Sequence, residues 1–454
     1  MQQASLTMEP DDELPMAAFF ETDVAAIATR KEIGNAPFFA HSTAAAHETG
    51  VLYQGEFETP GDGTARAVRA HATALAATGI PVLLRSFSGV VVSADGVAEP
   101  VFLAGMPPEV DREVGHLLKT SIASMRPLIK HVVIRSPEHC RQLLLPRGAI
   151  PLESHDIEQY LKLRNAIYSN TIVYSVWERD RIDPGIAEQL AMVKQCWVPC
   201  AHNRDMLIRS GVPADKVHVV PHPYLPNDPL LRLTRRPTTL HGGARRYYSI
   251  GRWEPRKGFD QLILAFLLAH HPDDNASLTI KWSGSGQWPG YVAADRVLAS
   301  AAADLAVRSS GWTAQSIASR VKLIGGRVNE SMILKLHLDH NIYVSASHGE
   351  AWGLPAFDAK LAGNRLVYVP SGGVEDFAAD SDCAVDVRDE PVHPSYRWEA
   401  DAQWSGYSVR DLAQAMKSTA LPEGFERPAF FEERFSLAAV GKKMRDLVDA
   451  ALAG

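Results

Sequence analysis

Short runs rich in β-branched and aromatic residues recur along the chain, and longer stretches with apolar residues at helical spacing separate most of them. In the first half the runs are VLYQ at 51, IPVLL at 80, HVVI at 131, TIVYS at 171, QCWV at 195 and KVHVV at 216. In the second they are RYYSI at 246, LTIKW at 278, VKLI at 321, IYVSA at 342 and LVYV at 366. GFDQLILAFLLAH is typical of the intervening stretches, with Phe259, Leu262, Ile263 and Phe266 on one helical face. Strand and helix in alternation argue for parallel sheets covered by helices on both faces.

The alternation runs twice, and PHPYLPNDPLLRLTRRP lies between the two series. Its five prolines between 221 and 237 mark a stiff linker, which places a boundary near residue 228. The expected organisation is an extension of unknown purpose over 1–48, Rossmann-like domains over 49–227 and 228–435, and a C-terminal helix over 436–454 packing back on the first domain. Facing domains of this kind set both groups of strand C-termini on one cleft, where ligands of such sheets bind. A chain of 454 residues accommodates two or three domains. With 46% hydrophobic and 22% charged residues it is neither disordered throughout, collagen-like nor coiled coil. Its 46 basic and 53 acidic residues give −7, which leaves no overall polycationic footprint for nucleic acid. Asp11, Asp12 and Glu13 precede any apolar run, so no signal peptide is read, and no stretch has the ~18 uncharged apolar residues of a membrane span. A cytoplasmic protein, monomer or homodimer, is expected. Cys196 and Cys200, the one close pair among four cysteines, have neither zinc nor redox spacing and read as small buried hydrophobes.

Two constellations carry chemistry. In SIGRWEPRKGFDQLILAF a strand ends at Ile250, Gly251 permits a turn and a helix begins near Gly258. Arg252 and Lys257 then stand beside a helix N-terminus, whose free N–H groups favour anions, and a planar fork with a mobile point charge suits a diphosphate. A solvated basic loop with Glu254 as internal partner is the plainer alternative. In SASHGEAWGLPAFDAKLAG, Glu350 lies on the loop after a strand, Pro355 fits the first helical position and Asp358 falls in the first turn. Outward amides of Trp352, Gly353 and Leu354 suit a phosphate or sugar oxygen, and a carboxylate at Asp358 suits a vicinal diol such as ribose. The alternative is that Asp358 only complements the helix dipole.

The two motifs in this order, about ninety residues apart, resemble the retaining glycosyltransferases of family four, which have the GT-B fold. VKLIGGRVNESMILKLHLDHNIYVSAS between them, and IVYSVWERDRIDPGIAEQLAMVKQCWVPCAHNRDMLIRSGVPADKVHVVPHPY upstream, are also similar to that family. The resemblance covers about residues 51–440. It implies α/β architecture with two facing doubly wound domains and a metal-independent transfer of sugar from a nucleoside diphosphate sugar, with no other cofactor. Arg252 and Lys257 would hold the donor diphosphate, Glu350 would face the donor sugar, and Asp358 would hold the ribose. The family usually has glutamate at the last position, so Asp358, one methylene shorter, requires a closer approach. The backbone at Arg327 and Val328 is expected beside the nucleobase. Gly61 and Gly63 resemble the glycine-rich first loop near the donor phosphates, Trp177 and Glu178 stand at the cleft edge on the acceptor side, and His155 is a candidate cleft histidine.

Asp380-Ser381-Asp382 has the spacing of a divalent-ion motif but follows the acidic segment and reads as a turn. Residues 112–147 hold seven basic against two acidic residues, a local +5. Arg112, Lys119 and Arg126 recur at sevens on one helical face, a pattern that suits an ordinary solvated helix, an anionic membrane surface or a phosphorylated partner. The competing functions are a nucleotide-sugar epimerase of the same fold, a non-catalytic sugar-nucleotide sensor and a glycosyltransferase acting on modified nucleic acid.

Overall fold

The computed structural model describes residues 50–57, 63–80, 82–85, 91–93, 125–144, 165, 167–225, 228, 230, 243–396, 401–422 and 427–453. The expected extension, Gly61, Arg112, Lys119 and His155 lie outside these residues. In the first half, β1 (Gly50–Gly55), β2 (Val82–Arg85), β3 (Val91–Ser93), β4 (Met125–His131), β5 (Thr171–Tyr174), β6 (Gln195–Val198) and β7 (Val217–Val219) form one sheet. Its order is β3-β2-β1-β4-β5-β6-β7, parallel except where β3 runs against β2. The second half contributes β8 (Arg245–Arg252), β9 (Ala276–Ser283), β10 (Val321–Ile324), β11 (Ile342–Ser345), β12 (Arg365–Tyr368) and β13 (Cys383–Ala384). These pair in parallel in the order β10-β9-β8-β11-β12-β13.

Strand order reverses beside the first strand of each sheet. The crevices of the fold therefore open at the C-terminal ends of β1 and β4, and of β8 and β11. Arg252 closes β8 and Ser345 closes β11, so both motifs begin at such a switch point. Phe259, Leu262, Ile263 and Phe266 of the helix Phe259–Ala269 are fully buried against the second sheet, as their spacing requires. Cys196 and Cys200 are buried free thiols.

The helix Leu437–Ala453 returns to the first half, where Val440, Met444 and Val448 join the core formed by Val51, Tyr53, Val68 and Leu75. Gly441 makes this contact close, since a Cβ there would overlap the Ala74 carbonyl oxygen of the helix Gly63–Ala76.

Three sequence expectations shift. The strand expected at HVVI ends where that run starts: β4 spans Met125–His131, and Val132 and Ile134 are buried just beyond it. Lys130 hid the strand, yet its ammonium is buried and donates to the carbonyls of Leu143 and Leu144 at the end of the helix Pro137–Leu144. Arg126 is therefore in a strand, not on a basic helix with Arg112 and Lys119. Pro127 disfavours helical backbone at the residue before it. The third is a hairpin that no period announced, β14 (Arg388–Pro391) against β15 (Gln403–Gly406).

Gly441→Ala should lower stability by about 1–3 kcal/mol through overpacking against backbone. A chemical-denaturation midpoint unchanged from wild type would show that the C-terminal helix does not hold this contact.

Candidate active site

β8 continues through Gly251 to Arg252, two residues further than the sequence suggested. Gly251 serves a close approach, because a Cβ there would lie 3.1 Å from the Phe259 ring and 3.4 Å from Lys257 Cδ. A turn of 3-10 helix, Pro255–Lys257, leads into Gly258, whose φ of +58° and neighbour Ala346 O, 2.7 Å from an added Cβ, both demand glycine. This turn delivers Lys257 to Glu350, and Nζ donates to Oε1 with both side chains largely buried. Arg252 is exposed at the strand end, and among the described residues its side chain meets no carboxylate.

Arg256, which the sequence reading passed over, is the buried cation of this segment. Its guanidinium donates to Gly349 O at 2.6 Å and Glu254 Oε1 at 2.7 Å, and lies 3.0 Å from Glu178 Oε1 and 3.6 Å from Glu350 Oε2. Glu178 belongs to the first half and the others to the second, so one side chain ties the two together. A Cβ at Gly349 would overlap the Glu178 carbonyl oxygen, which explains glycine there. Burial opposes ionisation of Glu350, but Lys257 and then Arg256 outweigh it and hold the carboxyl below its ordinary value. At Glu178 burial prevails over Arg256, and the carboxyl is raised. Trp177 sits in a core cluster with Ile182, Ile186 and Met206, a core position rather than one at the cleft edge.

The helix Leu354–Leu361 starts at Gly353, which has φ +84°, and carries Pro355 at its second position rather than its first. Asp358 is consequently one residue beyond the first turn. Among the described residues, the amides of Trp352, Gly353 and Leu354 meet no acceptor. Gly63, first residue of the helix Gly63–Ala76, faces this helix, with Leu354 Cδ1 3.2 Å from where its Cβ would be. Two helix N-termini, whose free amides favour an anion, are thus gathered with Lys257 at the C-terminal ends of the sheets.

Asp358 is buried and already engaged. Arg66 crosses from the first half and donates to its two oxygens at 2.5 and 2.7 Å, while also lying 3.3 Å from Asp228. Arg327 is exposed and Val328 half-buried on the loop between β10 and the helix Glu330–Asp339. Asp382 of the acidic turn is taken by Lys360 at 2.8 Å and by the amides of Leu366 and Ala379.

Beneath the site lies a buried aromatic cluster that the sequence reading missed. His71, His131 and His222 gather around Tyr174, with ring centroids 4.3–5.8 Å from it, and His222 meets Trp352 edge-on. Trp352 is therefore a core contact as well as a loop residue. Burial pushes His71 down to about 4, and burial together with the neighbouring histidines pushes His131 and His222 well below the ordinary value.

Neither a family model nor a curated protein matches the sequence. Solved structures match the fold. One is an α,α-trehalose-phosphate synthase (UDP-forming) from Burkholderia xenovorans, crystallised with glucose-6-phosphate. It has a TM-score of 0.55 at 12% identity over 88% of this chain and 100% of that one. The fold is GT-B. A second is Anabaena HepE in complex with UDP and glucose, TM-score 0.53 at 12% identity over 88% of this chain and 100% of its own. A third is a glycosyltransferase from Rickettsia africae, TM-score 0.51 at 14% identity over 89% and 99% of the two chains. The α/β class with two doubly wound halves matches the sequence expectation. Among the described residues no helix is long and apolar enough to cross a membrane.

Arg256→Met leaves Glu178, Glu254 and Glu350 without their shared cation, and should cost about 3–5 kcal/mol at pH 7. Glu254 and Glu350 are buried, and a buried carboxyl that loses its cation takes up a proton more readily in the folded state, so the deficit relative to wild type should narrow as pH falls. A deficit that is constant with pH would contradict this electrostatic account. The histidines act in the opposite sense on the wild type. The unfolded chain protonates His71 near pH 6.5 and the folded chain only near 4, so stability present above 6.5 is lost on the way down to 4. For His71 alone the loss is on the order of 3 kcal/mol. Thermal midpoints measured across that range should fall, and a flat profile would contradict the burial of neutral histidines.

Proposed function

We propose that this protein is a retaining glycosyltransferase that moves a sugar from a nucleoside diphosphate sugar to an acceptor hydroxyl. The observation that carries the reading is the Lys257–Glu350 pair set beside the open amides of the helix Leu354–Leu361, with Gly63 opposite. The resemblance in both motifs supports it, as do fold neighbours such as HepE, which was crystallised with UDP and glucose.

As the nucleoside diphosphate departs, negative charge grows on its phosphate oxygens and the sugar becomes oxocarbenium-like. Lys257, Arg252 and the helix amides stabilise that anion from fixed positions, which is usually the largest catalytic effect. Glu350, kept ionised by Lys257, faces the donor sugar. Asp358 takes the ribose diol, and the loop at Arg327 and Val328 borders the base. The acceptor enters on the Glu178 side, its hydroxyl attacks the face from which the phosphate leaves, and a phosphate oxygen accepts its proton. Retention follows without a nucleophilic side chain, and the cations above neutralise the diphosphate without a metal ion.

The 228 boundary assigns the donor site to the second domain and acceptor recognition to the first. A peripheral contact with an anionic membrane through Arg112 and Lys119 belongs to the acceptor side of this reading. No observation favours the epimerase or the nucleic-acid alternative.

Nucleoside diphosphates and their sugar conjugates should raise the melting temperature, because a ligand that binds only the folded state stabilises it. Lys257→Ala and Glu350→Ala should retain the fold and lose roughly 10²–10³-fold in transfer or donor hydrolysis. Activity should survive a chelator. If no such nucleotide shifts the melting temperature, or if a covalent glycosyl adduct on Glu350 is trapped, the proposal fails.

A further inference from the structure

The carboxylate of Asp358 is occupied. Arg66 presents the NH1–NH2 edge of its guanidinium to both oxygens, one contact to each, and the paired carboxylate is only 8% exposed. Such a fork–fork arrangement consumes the face of the carboxylate on which two parallel donors converge. A vicinal diol held by the same carboxylate presents two converging O–H donors and needs that same face. The two partners are mutually exclusive in geometry, and one of them belongs to the protein.

Arg66 is well placed to be such a competitor. It ends the first turn of the helix Gly63–Ala76, and Gly63 at the start of that helix abuts Leu354. The Arg66 side chain as a whole is about one-third exposed, whereas Asp358 is nearly enclosed. Asp228, 3.3 Å away and also in the second half's approach, gives the displaced cation a carboxylate to stay beside. Burial works against the charge on Arg66, but Asp358, then Asp228 and Glu330, more than offset it, so the cation is held where it stands.

We infer that Arg66 is an internal substitute for the donor's ribose, holding Asp358 until a 2′,3′-diol displaces it. The inference rests on the donor-site reading above. Donor binding then includes the exchange of one bidentate partner for another, and Arg66 sets how strongly the site discriminates for a ribose diol. Displacement also removes the ion pair between the helix Gly63–Ala76 and the helix Leu354–Leu361.

The test is calorimetric titration of the full chain with UDP and with 2′,3′-dideoxy-UDP. If UDP does not bind, ADP and GDP are used, each with its dideoxy counterpart. Arg66→Gln and Arg66→Lys are compared with wild type, and melting curves confirm folding. Arg66→Lys keeps the charge and loses the fork, so it covers the case in which Arg66→Gln does not fold. The expected result is that the diol nucleotide binds on the order of tenfold tighter to Arg66→Gln, and by an intermediate factor to Arg66→Lys, as for a typical coupling between sites. The dideoxy nucleotide, which has no use for Asp358, should bind wild type and variants within about twofold of one another. Equal or weaker binding of the diol nucleotide by both variants overturns the inference and leaves the donor-site reading intact. Equal tightening of both nucleotides also overturns it, because the effect is then not on the ribose. If none of these nucleotides binds wild type or either variant, the donor-site reading falls and the inference with it.

Discussion

The buried guanidinium of Arg256 is the interaction on which the site depends. It draws Glu178 from the first half to Glu254, Glu350 and the Gly349 carbonyl of the second, at a place where only glycine permits the backbones to meet. Three carboxylates that would otherwise repel are held around one charge that cannot be given up, since arginine stays protonated in proteins. Lys257 then needs only to answer Glu350. Lys257 is left beside the anion site, while Arg256 holds the two halves together.

Much of the architecture was legible because it follows from period. Buried parallel strands are mainly apolar on both faces, and IYVS of β11 and TIVY of β5 are buried throughout. Amphipathic helices must show one face, and Phe259–Ala269 does. Strands whose charges are buried by specific partners were not legible. Lys130 sits inside β4 because two helix-end carbonyls accept its ammonium protons, a partnership across thirteen and fourteen residues that no local pattern records. The β14–β15 hairpin escaped for the same reason: Ser405 and Gln403 bond to His348 and Asp180, which lie far away in sequence.

At the site, the residues in the two motifs could be named, but not their partners. Arg256 was visible in GRWEPRKG and carries no mark that separates it from Arg252 and Lys257; only burial does. Arg66 lies nearly three hundred residues from Asp358, and nothing in the TARAVRAH run points across that distance. His131 and His222 stand in HVVI and PHPY and His71 ends TARAVRAH, yet a histidine on an apolar face signals nothing until three of them converge on one tyrosine. Sequence reading finds chemistry that is local in the chain, and this site is assembled between halves.

The central claim is that the crevice between Lys257 and the helix Leu354–Leu361 receives a nucleoside diphosphate. A crystal structure of the protein soaked with UDP tests it most directly. The account predicts phosphate oxygens within hydrogen-bond distance of Lys257 Nζ and the Leu354 amide, with the ribose on Asp358 and Arg66 moved aside. Nucleotide bound elsewhere on the molecule, with Lys257 still turned wholly to Glu350 and the crevice empty, would contradict it.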